Sequence, residues 1–257
     1  MKPDSDVLWR IGLRACSLAV LLAAWEIAGR VAGPLLFPAF SQVVVAWGKL
    51  FVSAEFLKAI YLSNEAMVVG FLVAAICGIL LGLFTGRFAL VGRITNPYLD
   101  IFLMTPTVTL VPLFIVLFGV GLVSRIAVVF SFAFIYVAIN SQAGMRATDP
   151  SLIEMAHSFG AKESQLFTRI YLPAALPAIM AGIRIGLSRA VAGMVVAELL
   201  MGAVGLGELI SFYGGSFKTD YLFATIATIV CEGLFLLYLA KKLELRLAPW
   251  KVSEGIE

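Results

Sequence analysis

The stretch EMAHSFGAKESQLFTRIYLP, Glu154–Pro173, is the most polar run in the middle of a very apolar chain, and it holds the only histidine, His157. Of the 257 residues, 61% are hydrophobic and 14% charged. Soluble domains carry about 25% charged residues. A chain of this length and composition has too little polar surface to cover a water-exposed core, so it reads as a polytopic membrane protein. Cys16, Cys77 and Cys231 each sit inside an apolar run without metal-ligand spacing and read as small buried hydrophobes. The first apolar segment is too long for a signal-peptide core, and no small-x-small cleavage site follows it.

A membrane span needs about 20 mostly apolar residues. Six segments meet this: Ile11–Val31, Ala66–Phe84, Pro97–Phe118, Leu122–Ala143, Leu176–Met201 and Tyr221–Ala240. Between the first two, Val44, Trp47 and Phe51 share one face of a short amphipathic piece, expected to lie at the interface with Trp47 at headgroup level. With the N-terminus inside, twelve cations fall inside: Lys2, Arg10, Arg14, Arg87, Arg93, Arg146, Lys162, Arg169, Lys241, Lys242, Arg246 and Lys251. Five fall outside: Arg30, Lys49, Lys58, Arg125 and Lys218. Arg184 and Arg189, low in the fifth span, are left uncounted. The bias places both termini and the polar stretch in the cytoplasm. Gly70, Ala74, Gly78, Gly82 and Gly86 recur every four residues, and Gly182, Gly186 and Ala190 repeat the pattern. Such stripes let neighbouring helices approach closely.

Asp149-Pro150 is a helix start, with Asp at the N-cap and Pro in the first turn. Leu152, Met155, Ala156 and Phe159 then form one apolar face. Gly160 sits where a glycine ends a helix. Leu166, Phe167, Ile170 and Tyr171 group on one side of a second helix, and Pro173 and Pro177 are expected to break or kink the chain before the fifth span. From the physics alone, a membrane-surface loop and a docking element both fit.

The pattern Glu154, Ala156, Gly160, Ile170, Leu172, Pro173 resembles the cytoplasmic "EAA" loop of bacterial ABC importer permeases; Met155 stands where the family usually has Ala. The resemblance covers nearly the whole chain. LLAAWEIAG (21–29), GILLGLFTGR (78–87), LVPLFIVLFGVG (110–121), AGIRIGLSRAVAGMVVAELL (181–200) and GLGELI (205–210) resemble the branch that imports sulfonates, taurine, nitrate and bicarbonate. LMTPTVT (103–109) departs from the proline-rich segment common there. The resemblance implies an all-α, six-span permease of the type I, MetI-like fold in a bacterial inner membrane. It implies one permease domain over 1–257, with a coupling loop at 146–175 whose Glu154, Ala156, His157, Gly160, Ile170 and Pro173 meet a separate ATPase. It also implies a second permease copy, two ATPase subunits and an extracytoplasmic binding protein. The solute implied is a small organic or inorganic anion.

The chain has no G-x-x-x-x-G-K-[ST] loop, so ATP and magnesium are expected in the partner ATPase and no cofactor in this chain. One histidine and no nucleophile elbow argue against an enzyme, and no nucleic-acid partner is expected. The alternative is an ion-coupled carrier or a channel, which usually keeps paired ionisable groups at the midplane. Glu26 is expected to pair with Arg30, four residues on. Asp100 lies one turn inside the third span, and Glu232 lies in the sixth with no local partner. Glu198 reads either as part of a path or as a structural hydrogen-bonding group. Thr105, Thr107 and Thr109, between Pro106 and Pro112, read either as re-satisfying carbonyls freed by proline or as a polar lining. In the fold implied, the path runs between two copies along the third and fifth spans, which makes Thr105, Thr107, Thr109, Met194 and Glu198 lining candidates.

Overall fold

The computed structural model describes residues 5–202 and 204–248. Lys2 and Lys251, two of the counted cations, lie outside the described residues, as do the side chain of Arg10 and both ends of the 1–257 domain. The chain runs through α1 (Ser5–Ala32), α2 (Phe40–Leu50), α3 (Ala54–Arg87), α4 (Ala89–Met104), a 3-10 turn (Thr107–Leu110), α5 (Val111–Phe118) and α6 (Leu122–Arg146). It continues through α7 (Pro150–Ser158), α8 (Glu163–Leu166), a π turn (Phe167–Tyr171), α9 (Leu172–Met201), α10 (Leu206–Gly215) and α11 (Thr219–Leu247). No strand occurs among the described residues.

Five helical stretches are long and apolar enough to cross a bilayer, and a bent pair brings the number to six if it counts as one span. That pair corrects the expected Pro97–Phe118 span. α4 and the Thr107–Phe118 segment meet at 93° instead of forming one helix. Thr105 and Pro106 are extended, with ψ of 123° and 105°. Proline disfavours the helical conformation of the residue before it and offers no N–H. Thr105 Oγ1 donates to the Ile101 carbonyl at 2.8 Å, and Thr109 Oγ1 to the Pro106 carbonyl at 2.7 Å. Both carbonyls also accept backbone amides, Ile101 O from Thr105 N at 3.0 Å and Pro106 O from Thr109 N at 2.9 Å, so the hydroxyls add second bonds that pin the bend.

α6 is the central post, packed chiefly against α3 and α9. The glycine stripes make this possible. A Cβ on Gly78 would lie 2.9 Å from Val137 Cβ, and one on Gly82 2.5 Å from Ser141 Cβ, both on α6. From the other side, a Cβ on Gly186 would lie 2.7 Å from Val137 Cγ2. Lipid offers no hydrophobic drive for helices to pair, so this close backbone approach and its dispersion contacts hold the bundle.

Two further expectations need correction. α2 buries Val43, Ala46 and Leu50, a face one residue away from Val44, Trp47 and Phe51. Val44 and Phe51 are exposed, and Trp47 Nε1 donates to Thr228 Oγ1 of α11 at 2.8 Å. Leu50 and Ala46 fill a cluster with Leu206, Leu209 and Ala224, so α2 is packed onto the bundle. Nor do Pro173 and Pro177 break the chain. Glu163–Met201 is one helical rod of 39 residues. The π turn at Phe167–Tyr171 ends two residues before Pro173, which lacks an amide to donate back into it.

α1 buries little of its surface. It is tied at one end, where Glu26 pairs with Arg30 at 2.7 Å and accepts from the Ser41 amide at 2.9 Å. Trp25 Nε1 donates to the Pro38 carbonyl at 3.0 Å.

Candidate functional site

The α7–α8 loop is built by its caps. Asp149 accepts from the Ser151 amide at 2.8 Å, and Pro150 begins the helix. That amide holds the Asp149 carboxyl below its ordinary range, so the ionised cap is present at neutral pH and fades as pH falls through the lowered value. At the other end the Gly160 amide donates to the His157 carbonyl at 2.9 Å, and the Ala161 amide to the Ala156 carbonyl at 3.0 Å. These are the paired bonds of a Schellman motif, with Gly160 at φ +74°. A Cβ on Gly160 would meet nothing within 4 Å, so the demand for glycine there is conformational.

The loop is anchored to the bundle on one side and open on the other. Leu166, Tyr171 and Ala175 are buried against Leu83 and Met145, with Ile153, Ala156 and Ile170 packed over them. Arg87, at the end of α3, pairs with Glu163 at 2.6 Å and lies 5.0 Å over the Tyr171 ring. Of the apolar face read from the sequence, only Ala156 packs against this core. Leu152 is 41% exposed, Met155 52% and Phe159 85%. They border an apolar groove of about 560 Å³ that Ala156, Ile170 and Pro173 complete. Glu154 and His157 are exposed beside it. The loop thus brings Ala156, Ile170 and Pro173 together at the groove. Ile153, which the sequence reading left out, supplies the inward-facing contact.

The path candidates do not converge. Thr109 is exposed, while Thr105 and Thr107 are half-buried at the bend. Met194 is 1% exposed, packed with Met67, Ala74 and Val129. Glu198 is also 1% exposed. Neither side chain reaches the subunit surface in this arrangement, so neither forms part of an open lining here.

Glu198 is instead the hub of a buried polar cluster. It accepts from Ser63 Oγ at 2.8 Å, from the Gly207 amide at 3.0 Å and from Arg125 Nη1 at 3.3 Å. Arg125 Nη1 also donates to the Leu62 carbonyl at 3.0 Å, and Ser63 Oγ accepts from the Leu206 amide at 2.9 Å. The cluster joins α3, α6, α9 and the start of α10. Gly205, at φ +90°, and Gly207 wrap the carboxylate so closely that a Cβ on either would overlap Glu198. Arg125 therefore is not a free surface cation. The available signal was an acid and a base at matching depth in neighbouring spans.

Residues 78–248 match the family described as "Binding-protein-dependent transport system inner membrane component". The chain belongs to this family. The match runs from the last third of α3 to the end of α11 and takes in the loop, α6, α9 and, of the buried cluster, Arg125, Glu198 and Gly207, while Ser63 precedes it. The chain is 30% identical over 248 residues to the taurine transport system permease protein TauC of Escherichia coli (strain K12), covering 94% of this chain and 90% of that one. It is 32% identical over 237 residues to the putative aliphatic sulfonates transport permease protein SsuC of Bacillus subtilis (strain 168), covering 91% and 86%. Its fold is similar to a chain of the MetNI methionine ABC transporter in an inward-facing conformation, at TM-score 0.57 and 23% identity, covering 73% of this chain and 93% of that one. This family member is a multi-pass inner-membrane permease subunit of an ABC importer for small solutes, not an enzyme.

Proposed function

We propose that two copies of this permease form the path for a small anion, driven by two ATPase subunits and fed by a binding protein. The observation that carries this is the Gly160-closed α7, whose Leu152, Met155 and Phe159 stay exposed beside an apolar groove with a charged rim. A helix that buries one edge and presents another apolar edge to water is suited to docking in a partner's groove. The second copy follows from need: an importer uses two coupling loops, and this chain carries one. The loop faces the cytoplasm, both termini with it. Arg87, Arg93, Arg146, Lys162, Arg169, Lys241, Lys242 and Arg246 gather at the loop end, and the pairing of Arg125 with Glu198 removes one cation from the other side.

In this reading ATP and magnesium belong to the ATPase partner. Closure of that motor pulls on α7. The pull passes through the anchored core at Leu166 and Tyr171 into the Glu163–Met201 rod, about 58 Å long at helical rise. Because α9 is continuous with α8, the loop and the α9 face move as one lever. Thr105, Thr107 and Thr109 line the path at the bend of the third crossing, with Met194 and Glu198 stiffening the wall behind. A solute that carries an anionic group is supported by the taurine and sulfonate permeases that the chain is similar to, since both solutes bear a sulfonate, taurine as a zwitterion. The test is to co-purify the chain with its cognate ATPase and identify the ligand held by its binding protein. A stable permease–ATPase complex and a small anionic ligand support the reading. A permease that never binds an ATPase overturns the importer assembly, and an uncharged or cationic ligand overturns the anion.

A further inference from the structure

The exposed face of α9 carries charges that lipid does not tolerate. Arg184, Ser188 and Arg189 border an open groove of about 590 Å³ against α11, with Lys241 on the opposite wall. Arg189 and Ser188 are exposed on the subunit surface. Arg189 precedes Met201, the end of α9, by 12 residues (201 − 189), or about 18 Å of helix. In a hydrocarbon core about 30 Å thick it lies near the middle. Its guanidinium is held 4.8 Å over the Tyr136 ring of α6, at that depth, rather than reaching for an interface. Arg184 pairs with Glu244 at 3.0 Å. Among the described residues no carboxylate pairs with Arg189 or Lys241, so the groove keeps an excess of positive charge. A mid-membrane arginine faces water or a partner, not acyl chains.

The geometry points to an anion-binding station on α9, formed by Arg189 and Ser188, with Arg184 and Lys241 as a second position nearer the loop end. It rests on the reading of the chain as the path subunit of an importer and names the groups in it that meet the solute. A guanidinium presents two parallel N–H groups to a planar or tetrahedral oxyanion, and the Ser188 hydroxyl adds a third donor. Glu244 already occupies Arg184, so the second position holds an anion less tightly than the first. A graded pair of sites lets an anion enter and still leave. The station sits on the Glu163–Met201 rod, so the coupling loop moves it directly. The same chemistry would suit an anionic lipid headgroup, and the experiment separates the two sources.

Cys16, Cys77 and Cys231, expected to be buried from the apolar runs around them, are instead all exposed on the outer, apolar faces of their helices, and are first replaced by Ser. Ser188→Cys and, one turn away on the same groove, Ala192→Cys then serve as separate reporters, so that failure of one variant to fold leaves the other. The permease–ATPase complex is reconstituted in phosphatidylcholine vesicles, with and without added phosphatidylglycerol. Each cysteine is reacted with an anionic sulfonatoethyl and a cationic trimethylammonium-ethyl methanethiosulfonate. Rates are normalised to those of free 2-mercaptoethanol. A local positive potential predicts that the anionic reagent is favoured about tenfold. The preference survives Arg189→Lys, falls severalfold in Arg189→Gln on the Ala192→Cys background, and is the same in both lipids. Failure of both reagents to react, no anionic preference, or a preference unchanged by Arg189→Gln overturns the station. A preference that vanishes when phosphatidylglycerol is added assigns the groove to lipid headgroups and likewise overturns it. ATP-driven uptake of the solute carried by the binding protein is measured on matching vesicles of the wild-type complex. Intact uptake with failed labelling overturns the station alone, whereas absent wild-type uptake counts against the importer assembly itself.

Discussion

Arg125 at the start of α6 and Glu198 near the end of α9 meet at 3.3 Å inside the bundle, with side-chain exposures of 6% and 0%. Ser63 and the Gly207 amide complete the carboxylate's coordination. Breaking a buried pair by removing one partner leaves a charge uncompensated and costs about 3–5 kcal/mol. Arg125→Met and Glu198→Gln are each expected to destabilise the purified permease by roughly that amount. The double variant should be less damaged than the sum of the two, because no lone charge remains. Thermal or denaturant unfolding in detergent measures both. Additive losses would show that the two side chains do not act as a pair.

The glycine stripe makes a steric prediction. A Cβ on Gly82 would lie 2.5 Å from Ser141 Cβ and 2.9 Å from the Gln142 amide nitrogen, both on α6. Gly82→Ala should force α3 and α6 apart and cost about 1–3 kcal/mol through overpacking. Gly48→Ala is the control, since a Cβ there meets nothing within 4 Å. Equal thermal stability of the two variants would contradict the packing described here.

The sidedness of the bundle can be read by labelling. Cysteine placed at Lys162 should react with an impermeant maleimide only from the cytoplasmic face, and cysteine at Lys218 only from outside. The opposite pattern would invert the topology and put the α7–α8 loop out of reach of any cytoplasmic ATPase.

Much of this architecture was legible in the sequence because its determinants are local. Asp149, Pro150 and Gly160 specify their helix ends through their own backbone chemistry, and the four-residue stripes specify a packing face without naming the partner helix. What was not legible depends on which helix lies opposite. Ser63, Arg125, Glu198 and Gly207 are up to 144 positions apart (207 − 63), and no spacing rule joins them. The bend at Thr105–Pro106 falls inside what the sequence presents as the single span Pro97–Phe118, because proline signals a break but not its angle. The face of α2 was misplaced by one residue because the surface of a membrane protein is itself apolar. An outward Val44 and an inward Val43 look alike in sequence.

Phe159 separates docking from folding. It is 85% exposed, so Phe159→Glu should leave the permease's own unfolding temperature nearly unchanged, within the small effects usual for surface positions. The same change buries a charge if the face docks, and should lower ATPase co-purification by at least tenfold, a loss of about 1.4 kcal/mol or more. A pull-down at fixed permease concentration measures this. Undiminished capture of the ATPase would remove Phe159 from the docking face.

The measurement that bears most directly on the account is ATP hydrolysis stimulated by loaded binding protein, recorded together with solute uptake in vesicles holding the wild-type or the Gly160→Val complex. Gly160 sits at φ +74° with open space around it, so valine adds backbone strain of about 1–2 kcal/mol and no clash. Gly160→Ala should be milder. If α7 is the coupling helix, Gly160→Val re-aims it, and stimulated hydrolysis or its link to uptake falls while the binding protein keeps its ligand affinity. Wild-type stimulation and wild-type uptake in Gly160→Val would contradict the claim that the Glu154–Pro173 stretch couples this permease to its motor.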